Sequence, residues 1–167
     1  MKAIKYIIVL AVFFLFFQCK DTPRFPVEPV IEFKTYSKDI MDQGDKNDSL
    51  QLIIHFTDGD GDIGSSLDDN QAGIFIKDTR FDTPVPVTFS IPKIPEAGAS
   101  NGIEGDMTIE LYTTCCVFPE WVDDASAPCE ISQEYPIDTL VYELYIEDRA
   151  GHKSNVLVLP PLYLRCK

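Results

Sequence analysis

The chain reads as an all-β sandwich. Short runs of β-branched and aromatic residues with period-two alternation recur along its 167 residues. Turn signals separate these runs, and no amphipathic helical period follows the N-terminal leader. About seven such strands suit two packed antiparallel sheets.

Taken in order, Met1-Lys2-Ala3-Ile4-Lys5 is a short basic opening, and Tyr6 to Phe17 is an apolar run that stops at Gln18-Cys19. This is the pattern of an export signal over residues 1–18, too short to span a bilayer. A cysteine at that border, with no A-x-A-like site nearby, resembles the acylation site of a bacterial lipoprotein. The alternative is an ordinary signal with Cys19 placed by chance. Cleavage before Cys19 leaves residues 19–167, enough for one domain with a real core. Loss of Lys2 and Lys5 takes the formal charge from −13 to −15. Such a surface argues against nucleic acid or anionic headgroups as partners and suits cation binding, solubility or a basic partner surface.

Residues 19–29, with Pro23, Pro26 and Pro29, form an extended tether, and residues 30–167 form the domain. Val30 to Tyr36 is the first strand. Asp39 to Ser49 reads as a turn or loop, with a helical turn over Lys38 to Gln43 as the alternative. Leu50, Leu52, Ile54 and Phe56 alternate with Gln51, Ile53, His55 and Thr57, the cleanest strand signal in the chain. His55 falls on the outer face, as a strand residue rather than a ligand. Ile74 to Lys77 and Val85 to Ile91 follow, the second marked as an edge by Pro84 and Pro86. Pro92 to Gly105 is a loop and Met107 to Thr113 a strand. Val117 to Pro136 has no apolar period and is irregular. Thr139 to Glu147 is one long strand, Asp148 to Lys153 a tight turn, and Val156 to Leu159 the last core strand, extended by Leu162 to Leu164.

Cys115, Cys116, Cys129 and Cys166 make an even count, which in an exported chain implies two disulfides. A bridge between adjacent Cys115 and Cys116 needs a strained ring. One of that pair therefore joins Cys129 and the other Cys166. A zinc site lacks C-x-x-C spacing and nearby histidine.

The chemistry concentrates in Asp58-Gly59-Asp60-Gly61-Asp62-Ile63-Gly64. Carboxylates at alternate positions, with glycines that let the backbone curl, converge hard oxygens as Ca²⁺ requires. Without a cation the same loop holds like charges together at a cost. With Asp58 as position one, Asp60, Asp62 and Asp69 fall at three, five and twelve, which resembles the calcium loops of EF-hands and dockerins. It departs from them in Ile63 at position six, in Gly64 one place late and in strand-like flanks. Asp58, Asp60 and Asp62 are the expected ligands, with Asp69 or Asp68 as a further one; the alternative is a solvated acidic turn. In an immunoglobulin-like sandwich the loops after the second and sixth strands lie at one end. That topology brings Asp148 to the cluster as a ligand, or Arg149 as an offsetting charge.

Cys19-Lys20-Asp21, the segment Ile54 to Gly64 and the segment Ile146 to Asn155 resemble a group of small lipoproteins of the Bacteroidota. The Asp-Arg-Ala-Gly turn is also similar to the last hairpin of many bacterial Ig-like modules. The resemblance implies an outer-membrane lipoprotein, with Lys20-Asp21 similar to a short cell-surface export signal. It carries no biochemical role with it. The reading is of a lipid-anchored, Ca²⁺-stabilised Ig-like sandwich that works by binding, as accessory subunit of an outer-membrane assembly with a β-barrel partner. Phe118 and Trp121 in the irregular segment are the expected contact surface, with a plug beneath the loop as the other reading of Trp121. A cell-surface glycan-binding module is the rival. A hydrolase is the weaker rival, since no nucleophile elbow, H-E-x-x-H or singled-out carboxylate pair is present.

Overall fold

The computed structural model describes residues 25–45, 48–64, 73–92, 94 and 102–167. The all-β expectation holds: among these residues there are ten strands and no helix, so none that could cross a membrane. The strands are β1 (Val30–Tyr36), β2 (Ile40–Asp42), β3 (Ser49–Asp58), β4 (Gly73–Asp78), β5 (Val87–Ser90), β6 (Ile103–Tyr112), β7 (Ile137–Leu140), β8 (Tyr142–Glu147), β9 (Leu157–Val158) and β10 (Leu162–Arg165).

One layer is the antiparallel sheet β1-β3-β6. The other is built from β5-β4-β8-β9 and β2-β10-β7, which run into each other. β7 continues into β8 through Val141, and β9 into β10 through Leu159-Pro160-Pro161. The ladder pairs Leu144 with Leu157 but Leu140 with Leu162, so it slips by one residue at the prolines. Proline cannot donate to a ladder, and a bulge is where a sheet tolerates it. A single apolar core lies between the layers. Leu50, Leu52, Ile54 and Phe56 of β3 pack with Ile74 and Ile76 of β4, Leu144 and Ile146 of β8, and Leu162 and Leu164 of β10.

Where the strands depart from the expected ones, pairing with distant segments is the cause. Among the described residues the strands number ten rather than about seven. Ile40–Asp42 is a strand and neither loop nor helical turn, because it pairs parallel to β10 and buries Met41. The expected single strand Thr139 to Glu147 is broken at Val141, where it passes from β10 to β4 and β9 as neighbours. β6 starts at Ile103, inside the expected loop, because it pairs with β3 along its whole length to Asp58. β5 is shorter than expected, starting only after the donor-less Pro84 and Pro86. Cys19 lies outside the described residues.

The irregular segment after β6 is tied down covalently and by charge. The disulfides are Cys115–Cys129 and Cys116–Cys166, so the open choice between neighbours resolves with Cys116 on the core side. Arg80, whose side chain is 9% exposed, grips Asp78 at 2.6 Å and Asp138 at 2.5 Å, and donates to the Cys115 carbonyl at 3.2 Å. Asp138 also accepts from Val117 N at 2.9 Å and from the Tyr135 hydroxyl at 3.0 Å. Removing one member of a buried ion network leaves its partners charged and unpaired. Arg80→Ala is therefore expected to cost about 3 kcal/mol or more of stability, read from the urea midpoint against the wild type.

Candidate metal centre

The period-two pattern of β3 does more than bury leucines. Continuing Leu50, Leu52, Ile54 and Phe56 by two places puts Asp58 on the same inward face, where it is fully buried. β8 repeats the arrangement: Leu144 and Ile146 are followed on the inward face by Asp148, also 0% exposed. A carboxylate thus ends a core column in each layer, and the two meet at one end of the sandwich. Asp60 and Asp62, half-buried on the loop after β3, complete the group. One ligand atom from each of Asp58, Asp60, Asp62 and Asp148 lies within 4.8 Å of all the others.

The loop curls because Asp58 Oδ2 accepts from the backbone amides of Asp62 at 2.8 Å and Ile63 at 3.2 Å. Ile63 turns into the core as a fully buried plug beside it. Two glycines are required by close approach. A β-carbon at Gly64, which also has φ +86°, would collide with the Pro92 carbonyl. One at Gly59 would collide with the carbonyl oxygens of Phe25 and Pro26, in the segment before β1. The opposite turn is equally organised. Asp148 accepts from His152 N at 2.8 Å and contacts His152 Nδ1 at 3.0 Å. Arg149 Nη1 donates to the Gly64 carbonyl at 3.0 Å, and the Ala150 amide donates to Asp62.

These partners leave three oxygens over. Oδ1 of Asp58, Asp60 and Asp62 are each buried with no hydrogen-bond partner. No two of these ligand atoms are more than 4.8 Å apart, and two full negative charges at that distance repel by about 3 kcal/mol at an effective dielectric near 20. Burial, and then the neighbouring Asp60, push Asp58 up to about 6, against the pull of its two amide donors. Asp62 is also raised, by burial first and then by Asp148 and Asp60, with Arg149 and the Ala150 amide opposing. The Asp148 hydrogen bond raises His152.

No protein-family model, curated protein or solved structure matches the chain.

The centre is accordingly read from its own chemistry. The donor set is all oxygen and strongly anionic, the preference of a hard divalent cation, and it lacks the sulfur or open nitrogen that zinc favours. Of the residues singled out from sequence, Asp58, Asp60, Asp62 and Asp148 come together, while Asp68 and Asp69 lie outside the described residues. Arg149 sits beside the cluster, as an offsetting charge would. His55 is away from it, on the outer face against Asp106 at 2.9 Å. His152 behind Asp148 was not foreseen; its i,i+4 spacing across a glycine turn was the available signal. At the irregular segment, Trp121 is 63% exposed rather than a plug, resting edge-on against Tyr135. Phe118 is half-buried and packs against the core.

The raised Asp58 carboxyl has a definite sign. Its folded value, about 6, lies above its ordinary one of 3.8, so ionisation penalises the folded state. The penalty is absent below pH 4, grows between pH 4 and 6, and is complete above. In EDTA, Asp58→Asn keeps an oxygen for the two amides and is expected to gain up to about 3 kcal/mol at pH 7. That gain should vanish toward pH 4 when urea unfolding is followed across the range.

Proposed function

We propose that the chain is a lipid-anchored binding module whose tip is set by a Ca²⁺ ion, serving as accessory subunit of an outer-membrane protein assembly. The observation that carries this reading is the convergence of four carboxylates with three buried, unpartnered oxygens. A divalent cation satisfies those oxygens and reverses the repulsion among the carboxylates. Asp58, Asp60, Asp62 and Asp148 would hold it, with carbonyls or water completing the six to eight oxygens that Ca²⁺ takes. Because the Phe25 and Pro26 carbonyls close on Gly59, the ion would stiffen the junction between tether and body.

The binding role draws support from the opposite kind of surface. The segment with Trp121 is closed by Cys115–Cys129 and cross-linked through Cys116 to Cys166, the residue after β10. A rigidly held, exposed aromatic is the sort of group that anchors protein interfaces. The rival glycan-binding reading uses the same Trp121, and the partner recovered decides between them.

Two measurements test the proposal. For the acylated protein in detergent, Ca²⁺ at about a hundred times its dissociation constant should raise the melting temperature by about 5–10 °C over EDTA. Asp62→Asn and Asp148→Asn should each remove most of that rise; no rise in the wild type would end the calcium reading. Second, gentle detergent pull-down of the tagged protein from outer membranes should recover a β-barrel protein, with recovery reduced in Trp121→Ala. A preparation that brings down no protein but is retained on a glycan affinity gel would replace the subunit with the sugar-binding module.

A further inference from the structure

The two layers of the sandwich do not close along one side. There β5 is the last strand of its sheet and β6 the last strand of the other, and among the described residues neither has a second neighbour. A cleft of about 890 Å³ opens between them, lined by Val87, Phe89, Leu111, Tyr112 and Tyr142 among others. It shares Phe89 and Tyr112 with a further hollow of about 300 Å³ that reaches Met107 and Ile109. Val87 and Tyr112 are both 61% exposed.

β6 is an unusual edge. It runs for ten residues, from Ile103 to Tyr112, without proline, whereas exposed edges are commonly short or interrupted. Its inward positions, Met107, Ile109 and Leu111, border the apolar cleft, and its outward positions include Glu104, Asp106 and Glu110. The charge pattern selects among occupants. A second copy pairing through β6 would set this acidic row against itself, which cross-strand pairing penalises. Anionic surfaces are repelled for the same reason.

We propose that the outer edge of β6, where β3 is its one neighbour among the described strands, and the adjoining cleft take up an extended segment of a partner protein in which apolar residues alternate with lysine or arginine. The segment adds as a strand beside β6, and its backbone completes the ladder. Alternation sends one set of its side chains over Val87, Phe89 and Leu111. The other set falls on the outer face beside Asp106 and Glu110, where cations meet carboxylates. Asp106 already accepts from Lys34 at 2.7 Å and contacts His55 Nδ1 at 2.9 Å, and Glu110 accepts from the Ser49 hydroxyl at 2.8 Å. These carboxylates are thus held in place on that face, and among the described residues Glu110 is the one of the two with no cation on it yet. The inference uses neither the carboxylate corner nor Trp121, and stands whether or not a cation is bound.

The test uses the full-length protein in detergent and three labelled ten-residue peptides: alternating valine and lysine, the same composition in two blocks, and alternating valine and glutamate. By fluorescence anisotropy the alternating valine–lysine peptide is expected to bind about tenfold tighter than either other. Val87→Asp and Glu110→Lys, both at exposed positions, should each weaken it about fivefold. Independently of any variant, the peptide should slow amide hydrogen exchange across residues 103–112. Equal binding of the block peptide would mean simple charge attraction and overturn the proposal. So would absence of binding, unchanged exchange along β6, or retention on a glycan gel that Val87→Asp abolishes.

Discussion

Two aspartates occupy the positions where the next core residue would stand, one at the end of each facing column of leucine and isoleucine. Burying Asp58 and Asp148 side by side is the constraint around which the rest of that end is arranged. An ionised group in a low-dielectric site needs amide donors or counter-charge. The turn after β3 curls back to offer amides to Asp58, the turn after β8 offers those of Ala150 and His152, and Arg149 bridges to Gly64. What these donors leave unsatisfied is the part that a divalent ion completes in the proposed reading.

Local pattern carried much of this. The alternation from Leu50 to Phe56 gave β3, and the same parity continued to Asp58 makes its inward orientation legible without a structure. The acidic spacing singled out Asp60 and Asp62 in the same way. Asp148 needed topology, because it lies ninety residues further along and reaches the cluster only when β3 and β8 end together. Its partner His152 left a weak trace in the spacing around Gly151. Features that depend on pairing with remote segments were not legible: β2 has three residues and no period of its own, and nothing in Thr139 to Glu147 marks Val141 as the place where the neighbours change. The same holds for the cysteines, where adjacency excluded one pairing but could not say which of Cys115 and Cys116 faces the core.

The segment from Val117 to Pro136 shows how a stretch without a hydrophobic face is held. Two disulfides and the Arg80–Asp138 hub do the work that strand pairing does elsewhere. Large side chains there need not be buried to keep the segment in place. Trp121 is accordingly free to face outward while Phe118 and Tyr135 pack beneath it. This division gives the molecule one region braced by disulfides and a buried ion network, and another where four carboxylates converge.

The register of β1 against β3 has a mechanical corollary. β1 begins at Val30 opposite Thr57, beside the corner, and runs away from it toward Tyr36. Tension drawn through the N-terminal side of β1 against a body gripped at its far end would act along the strand axis. Hydrogen bonds of an antiparallel ladder loaded in that direction resist together rather than opening one after another. Under such a load β1 would give way by sliding, not by unzipping.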